Sequence, residues 1–492
     1  MSRGETVVVG GGIGGLAAAL SLAASGRPVT LLEQHASVGG KVRQLSSASR
    51  AFDAGPTVFT MRWVLDALFE AAGARLDERL VLEPSPLLAR HSWPDGSRLD
   101  LFADLEHSMA AIDAFAGAAE ADAYAAFVAE SGRIFDTLDH SFMRASRPDP
   151  LTLLRRLGLW RAPALLATRP FSTLWQALGQ RFSDPRLRQL FGRYATYTGS
   201  SPFAAPATLM LIAEAERRGV YQLEGGMQAL ANALATLIVE RGGVVRTQAP
   251  VARILTGAGR VTGVQLADGE RLAADAVIFN GDAAALAGGL LGAAVQRAVS
   301  KRGLRGAHSL SAVTWGMVVS VSGWELAHHT VLFGTDYVDE FDCIFKRGTI
   351  AASPTVYLCA QDRHALRCPP GSQGAERLFC LMNAPGRTLS AETIEACETQ
   401  LWSGFAAHGL TIEVTEGTPW RQAPQDFAAL FPATNGALYG RATHGAMGSF
   451  ARNGATTRIP GLYLAGASVH PGAGVPMAAT SGMLAAAAVR GD

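Results

Sequence analysis

Charge is scarce in this 492-residue chain, cysteine is scarcer, and long apolar runs are missing. Asp, Glu, Lys and Arg make up 17% of the residues against 48% for the hydrophobic set. The 43 basic and 42 acidic residues leave a net charge of +1, which offers no field for nucleic acid or any strongly charged partner. The five cysteines (Cys343, Cys359, Cys368, Cys380, Cys397) are odd in number and contain no C-x-x-C pair. That excludes a disulfide framework and a zinc spacing, and fits a reducing compartment. His328-His329 has no further ligand at a metal-binding spacing, so the pair reads as exposed loop histidines and no metal is expected. The amino terminus lacks the charged-then-apolar order of a signal peptide. No stretch of about 18 uninterrupted apolar residues marks a spanning helix. The apolar surplus must therefore fill a large core, an apolar ligand cavity or a membrane-facing patch.

What is present begins with Thr6-Val7-Val8-Val9, a β-branched run that reads as a buried strand. Gly10, Gly12 and Gly15 follow in G-x-G-x-x-G order, and Leu16–Leu20 continues as an alanine-rich helix. The first glycine permits a tight turn, the second admits a pyrophosphate to the backbone, and the third lets helix and strand pack closely. The turn, with Ile13 and Gly14 inside it, presents a helix N-terminus to phosphates. The next apolar run ends in Glu33, 18 residues beyond Gly15, where such folds place a carboxylate for ribose hydroxyls. Gly39-Gly40-Lys41 comes next, with a cation placed to neutralise a pyrophosphate. Gly55-Pro56-Thr57 breaks regular structure and reads as a loop passing close to the cofactor.

Further along, residues 61–145 are mostly helical by pattern, with a strand-turn-strand insert built on Pro94-Asp95-Gly96. Residues 151–176 differ in character. Arg155, Arg156, Arg161 and Arg169 stand with Trp160 and Trp175 among leucines, and there is no acid. That is the make-up of a segment lying in a membrane interface. Pro163 and Pro170 prevent one long helix, and a buried hairpin with snorkelling arginines is the competing reading. Residues 204–213 are almost wholly apolar and read as core. From Gly225-Gly226-Met227 the nucleotide-fold pattern returns, with strands expected at 244–247, 251–255, 261–266 and 276–279. Residues 283–430 alternate apolar segments and read as a second sheet walling the substrate. At the tail, Leu462-Tyr463-Leu464 rejoins the first sheet, and a glycine- and proline-rich loop through Met477 leads to an alanine-rich helix, Ala478–Val489.

The order strand, G-x-G-x-x-G, helix, acid, Gly-Gly-basic resembles the FAD-containing amine oxidase and desaturase superfamily. Over its whole length the chain resembles the bacterial carotenoid desaturase family. The resemblance is carried by Gly10–Gly15 with Glu33, by Phe52-Asp53-Ala54-Gly55-Pro56-Thr57, by Trp93-Pro94-Asp95-Gly96, and by Leu462–Gly466 with His470-Pro471-Gly472-Ala473-Gly474. Within the family it is most similar to the 1-hydroxycarotenoid 3,4-desaturases, on Asp100–Asp104, Arg144–Pro148, Pro206–Ala213 and Leu381–Pro385.

The fold expected from this is α/β. A Rossmann-like FAD-binding domain is assembled from residues 1–70, 221–290 and 431–492. An inserted α+β substrate domain comprises a helical, membrane-associated region at 71–220 and a sheet at 291–430. The resemblance implies FAD held by Gly10, Gly12, Ile13, Gly14, Gly15, Glu33, Gly40, Lys41, Gly55, Pro56 and Thr57, by backbone near Val251 at the adenine, and by Gly466, Ala467, Val475, Pro476 and Met477. The last helix would turn its N-terminus to the flavin edge that gains negative charge on reduction. Two positions depart from the pattern. Ser468 stands where many flavoproteins place an acid for the ribityl chain. Lys41 stands where many relatives have arginine, which keeps the charge and loses the bidentate fork.

The activity implied is removal of two hydrogens from C3–C4 of an acyclic 1-hydroxycarotenoid, with hydride leaving C4 for the flavin and a proton leaving C3. Charge delocalised over the polyene lowers the barrier, so a strong base is less necessary. His470 is the titratable residue expected nearest the chemistry; a capping role in its glycine loop is the alternative. The implied partners are an apolar carotenoid, a membrane surface, and oxygen or a quinone as electron acceptor. The implied location is the cytoplasmic side, peripheral to the inner or intracytoplasmic membrane. Other readings are a phytoene or neurosporene desaturase, a non-catalytic carotenoid carrier with structural FAD, and an amine oxidase, which the apolar composition disfavours.

Overall fold

The computed structural model describes residues 4–146, 149–157, 167–363 and 374–491. The glycine turn sits at the end of a five-stranded parallel sheet ordered Val244–Arg246, Val29–Leu32, Thr6–Val9, Ala276–Phe279, Leu462–Leu464. The three central strands are buried at every residue, because helices cover a parallel sheet on both faces and only apolar side chains fit there. Strand Thr6–Val9 pairs with Val29–Leu32 on one side and with Ala276–Phe279 on the other. The order of strands therefore reverses at the glycine turn, where a doubly wound fold opens a crevice.

Helix Ile13–Ala24 is apolar all round, and Leu16 to Leu20 have no exposed surface. It is wedged between helices Met227–Glu240 and Val475–Arg490. Its contact with the last helix is backbone to backbone. A Cβ on Gly482 would lie 2.1 Å from the Gly14 carbonyl oxygen.

A second sheet has seven strands, ordered Thr411–Gln422, Ser311–Ser322, Glu376–Ala384, Val356–Ala360, His329–Leu332, Leu87–Ser92, Arg98–Phe102. The hairpin around Pro94-Asp95-Gly96 is thus present, but it extends the sheet of residues 311–422 through a parallel pairing of Thr330 with Arg90. Helices Leu105–Ala116, Ala118–Leu138 and Pro185–Gly192 form a layer with an aromatic centre. There Phe127, Phe182 and Phe191 have ring centroids 4.8–5.7 Å apart. The apolar stretch 204–213 is core, with Ala205, Ala207, Leu209 and Met210 buried.

Of the basic and aromatic segment, residues 158–166, with Trp160, Arg161 and Pro163, lie outside the described residues. Arg155 and Arg156 on helix Pro150–Leu157 are exposed, and Phe171 is 81% exposed. Trp175 instead packs inward on Phe203 and Tyr337, and Arg169 pairs with Glu130 at 2.8 Å. Among the described residues no helix is long and apolar enough to cross a membrane.

Candidate active site

The crevice at the glycine turn is built mainly from backbone. The Gly39 N–H donates to the Gly11 carbonyl at 2.8 Å, which lays Gly40 against Gly12 so closely that a Cβ on Gly40 would meet the Gly12 Cα at 3.1 Å. Gly55 backs onto Lys41, whose carbonyl oxygen a Cβ there would meet at 1.9 Å. Gly466 faces Gly14, where a Cβ would lie 2.8 Å from the Gly466 nitrogen. Glu33 is 4% exposed, and its carboxylate accepts from the Gly11 N–H at 2.7 Å and the His35 N–H at 2.9 Å. The N–H groups of Gln248 and Ala249 donate to the His35 and Glu33 carbonyls, which brings the strand beginning at Val251 alongside. Ile13 and Val475 each open a helix behind a glycine, Gly12 or Gly474, with no side-chain cap. Pro476 and Met477 complete the first turn of the second of these. Both helices so present unpaired N–H groups to an anion.

Two cations, half-buried Lys41 and buried Arg452, stand beside this crevice. Lys41 turns its ammonium to the Leu438 carbonyl, 5.5 Å from the Phe431 ring. Burial brings it down to about 8, against the pull of Asp282. Arg452 donates to the carbonyls of Ala467, Arg441 and Tyr439, and burial lowers it to about 10, again opposed by Asp282. Among the described residues neither cation has a carboxylate oxygen within 4 Å. Asp282 itself caps helix Ala283–Ala287, and the Ser468 hydroxyl accepts from the Ala283 N–H at 3.4 Å. Uncompensated positive charge, two uncapped helix N-termini and an anchored carboxylate suit the pyrophosphate and ribose of a dinucleotide.

Asn280 and Arg452 escaped the sequence reading. Asn280 donates to the Gly10 carbonyl at 3.1 Å. It follows the carboxyl end of strand Ala276–Phe279, a position that the switch-point rule flags. Arg452 lies outside every motif, and no sequence signal marks it.

His470 is 2% exposed. Its Nε2–H donates to the Phe142 and Ala145 carbonyls at 2.9 and 2.8 Å. Nδ1 is thereby left as the lone-pair nitrogen, buried and without a partner among the described residues. Burial holds the imidazole down at about 4, with the two carbonyl contacts opposing, so the ring is neutral at pH 7 and only Nδ1 can accept a proton.

This has a consequence for stability. From about pH 6.5 down to 4 the unfolded chain binds a proton on this ring that the folded chain refuses. The contribution is full above 6.5 and is lost on acidification, by about 3 kcal/mol in all. Buried Glu340, raised to about 7, acts in the opposite sense, and a mutant comparison cancels it. The melting-temperature advantage of wild type over His470→Gln is expected to shrink between about pH 7 and about pH 4.5. A constant advantage would show that the imidazole is not held neutral.

A separate cavity lies between the second sheet and the helices. Its walls are largely apolar and aromatic, with Val58, Leu88, Leu101, Leu190 and Val331 among them. It also carries Arg193, His329 and Tyr357, and adjoins the Gly55–Thr57 loop. Thr57 Oγ1 and the Tyr357 hydroxyl are 2.7 Å apart, and the same hydroxyl is 2.7 Å from His329 Nδ1. His329 is therefore not an exposed loop residue. It is 4% exposed on strand His329–Leu332, because the strand pairs on both edges. The ligand atoms of His328, His329 and Cys359 lie within 4.8 Å of one another. Burial pushes the Cys359 thiol up to about 12.

The parallel sheet, the glycine cradle and the two cations define a flavin-binding oxidoreductase. Residues 13–353 match the family described as flavin containing amine oxidoreductase. The chain is 48% identical to the hydroxyneurosporene desaturase of Rubrivivax gelatinosus, over 98% of this chain and 92% of that one. It is also 48% identical to the hydroxyneurosporene desaturase of Cereibacter sphaeroides, over 99% and 98%. An oxidoreductase from Methanosarcina mazei shares the fold, with a TM-score of 0.63 at 19% identity over 99% of this chain and 100% of that one. The chain belongs to the flavin-containing amine oxidoreductase family, in its bacterial carotenoid desaturase branch. Its cofactor is FAD.

Proposed function

We propose that this enzyme desaturates C3–C4 of an acyclic 1-hydroxycarotenoid such as 1-hydroxyneurosporene. The observation that carries this is the near-full-length similarity to two hydroxyneurosporene desaturases. Bound FAD supplies the two-electron acceptor. Gly10–Gly15, Glu33, the Lys41 and Arg452 cations and the first turn of helix Val475–Arg490 hold it. The apolar and aromatic side chains of the cavity align the polyene and exclude the water that would otherwise trap positive charge developing on it. We take the second sheet and the helices on it as the substrate domain.

Substrate in this reading arrives from lipid, with the enzyme peripheral at the cytoplasmic face of the inner or intracytoplasmic membrane. Helix Pro150–Leu157 packs on the turn Asp139–Met143, whose Phe142 ring touches His470 at 4.8 Å. The exposed Arg155, Arg156 and Phe171 suit a docking face there. Reoxidation falls to oxygen or a membrane quinone.

The test gives FAD-loaded protein 1-hydroxyneurosporene and neurosporene side by side. The hydroxylated substrate is expected to react faster, its product absorbing at longer wavelength by one added conjugated double bond. Faster reaction of neurosporene would make this a general neurosporene desaturase. Failure of the flavin to bleach anaerobically with either would make it a carrier.

A further inference from the structure

The cavity beside Thr57 is lined by a buried polar atom, His329 Nε2, that has no hydrogen-bond partner among the described residues. Leaving such an atom unpaired is costly, and a ligand hydroxyl would recover that cost. Other polar groups there have protein partners. Both oxygens of Glu216 accept from Tyr194 and Tyr197, and the Arg193 guanidinium lies over the Tyr357 and Tyr197 rings at 5.3 and 5.8 Å. Burial, with His328 and Arg193 assisting, keeps His329 neutral. Its Nδ1 is tied to Tyr357, so the ring is oriented before any ligand enters.

The substrate's own geometry sets where its hydroxyl can be read. That oxygen is four bonds of about 1.5 Å from C4, so it lies within about 5 Å of the reacting carbon. A hydroxyl partner must therefore stand close to the cofactor. The chain Thr57–Tyr357–His329 runs from the predicted flavin loop into the cavity in two hydrogen bonds.

We propose that this cavity is the subsite for the hydroxylated end of the polyene, with His329 Nε2 the hydrogen-bond partner of the tertiary hydroxyl and Tyr357 a positioning residue. A hydroxyl both donates and accepts, so it satisfies Nε2 in either tautomer. A hydrocarbon end leaves Nε2 unpaired and is disfavoured. This subsite rests on the reaction proposed above.

The experiment compares FAD-loaded wild type, His329→Phe and His329→Gln on 1-hydroxyneurosporene and neurosporene. It reads kcat/KM, and also the carotenoid retained through gel filtration. The kcat/KM preference for the hydroxylated substrate is expected to fall about 10- to 100-fold in His329→Phe. Retention of that substrate falls with it, neurosporene loses less or gains, and His329→Gln keeps part of the preference. A preference in His329→Phe equal to wild type overturns the subsite. Should His329→Phe fail to fold, Tyr357→Phe carries the test. It frees the ring, so the preference drops by a smaller factor, and an unchanged preference is again fatal. Wild type that reacts with both substrates alike overturns the reaction assignment and the subsite together. Wild type that prefers the hydroxylated substrate while the variants match it overturns the subsite alone.

Discussion

Gly482→Ala is expected to cost this enzyme its FAD. On helix propensity the substitution looks favourable by up to about 1 kcal/mol, since Gly482 sits inside the alanine-rich helix Val475–Arg490. Packing decides otherwise. The added Cβ would lie 2.1 Å from the Gly14 oxygen, 2.9 Å from the Ala18 nitrogen and 3.0 Å from the Ala17 Cβ. Two of those atoms are backbone in the buried part of helix Ile13–Ala24, so relief requires moving that helix itself, at about 1–3 kcal/mol or more. That helix carries the pyrophosphate turn at its N-terminus. Bound flavin per protein after gel filtration is expected to drop at least about tenfold. Gly404→Ala is the control. It too lies inside a helix, but its nearest neighbour, Val356 Cγ2, is 4.0 Å away, so FAD content should hold. Wild-type flavin content in Gly482→Ala would refute the backbone contact.

Arg452→Leu carries the second large effect. The guanidinium serves the carbonyls of Tyr439, Arg441 and Ala467, joining the segment 439–441 to the tail loop that follows strand Leu462–Leu464. Removing it strands those acceptors in a buried setting. The gain from no longer burying a charge offsets part of this, for a net loss of about 3 kcal/mol. It also withdraws one of the two cations at the crevice, so FAD affinity falls as well. Arg452→Lys is expected to restore the charge and not the stability, because an ammonium cannot span three carbonyls as a planar fork does. Thermal melts and apoprotein reconstitution of both variants read this. A lysine variant as stable as wild type would show that charge alone matters.

Much of the cofactor crevice was legible in residue order. Turn chemistry is local: a strand, three glycines at set spacing and an acid at the next strand end each impose a conformation on their own neighbours. Hence Gly10–Gly15, Glu33 and the Gly39-Gly40 turn lie together in the structure. Tertiary contact alone decided the rest. Gly482 is one small residue in a helix until Gly14, 468 positions earlier, is laid across it. The hairpin 87–102 could not announce a sheet whose partner strand begins at His329. His329 looked like loop because its burial comes from pairing on both edges of its strand, and Arg452 has meaning only beside carbonyls from three other positions. A sequence states what each residue can do within a turn or two, whereas close approach between distant segments, and the polar atoms it strands or satisfies, exists only once the chain has closed on itself.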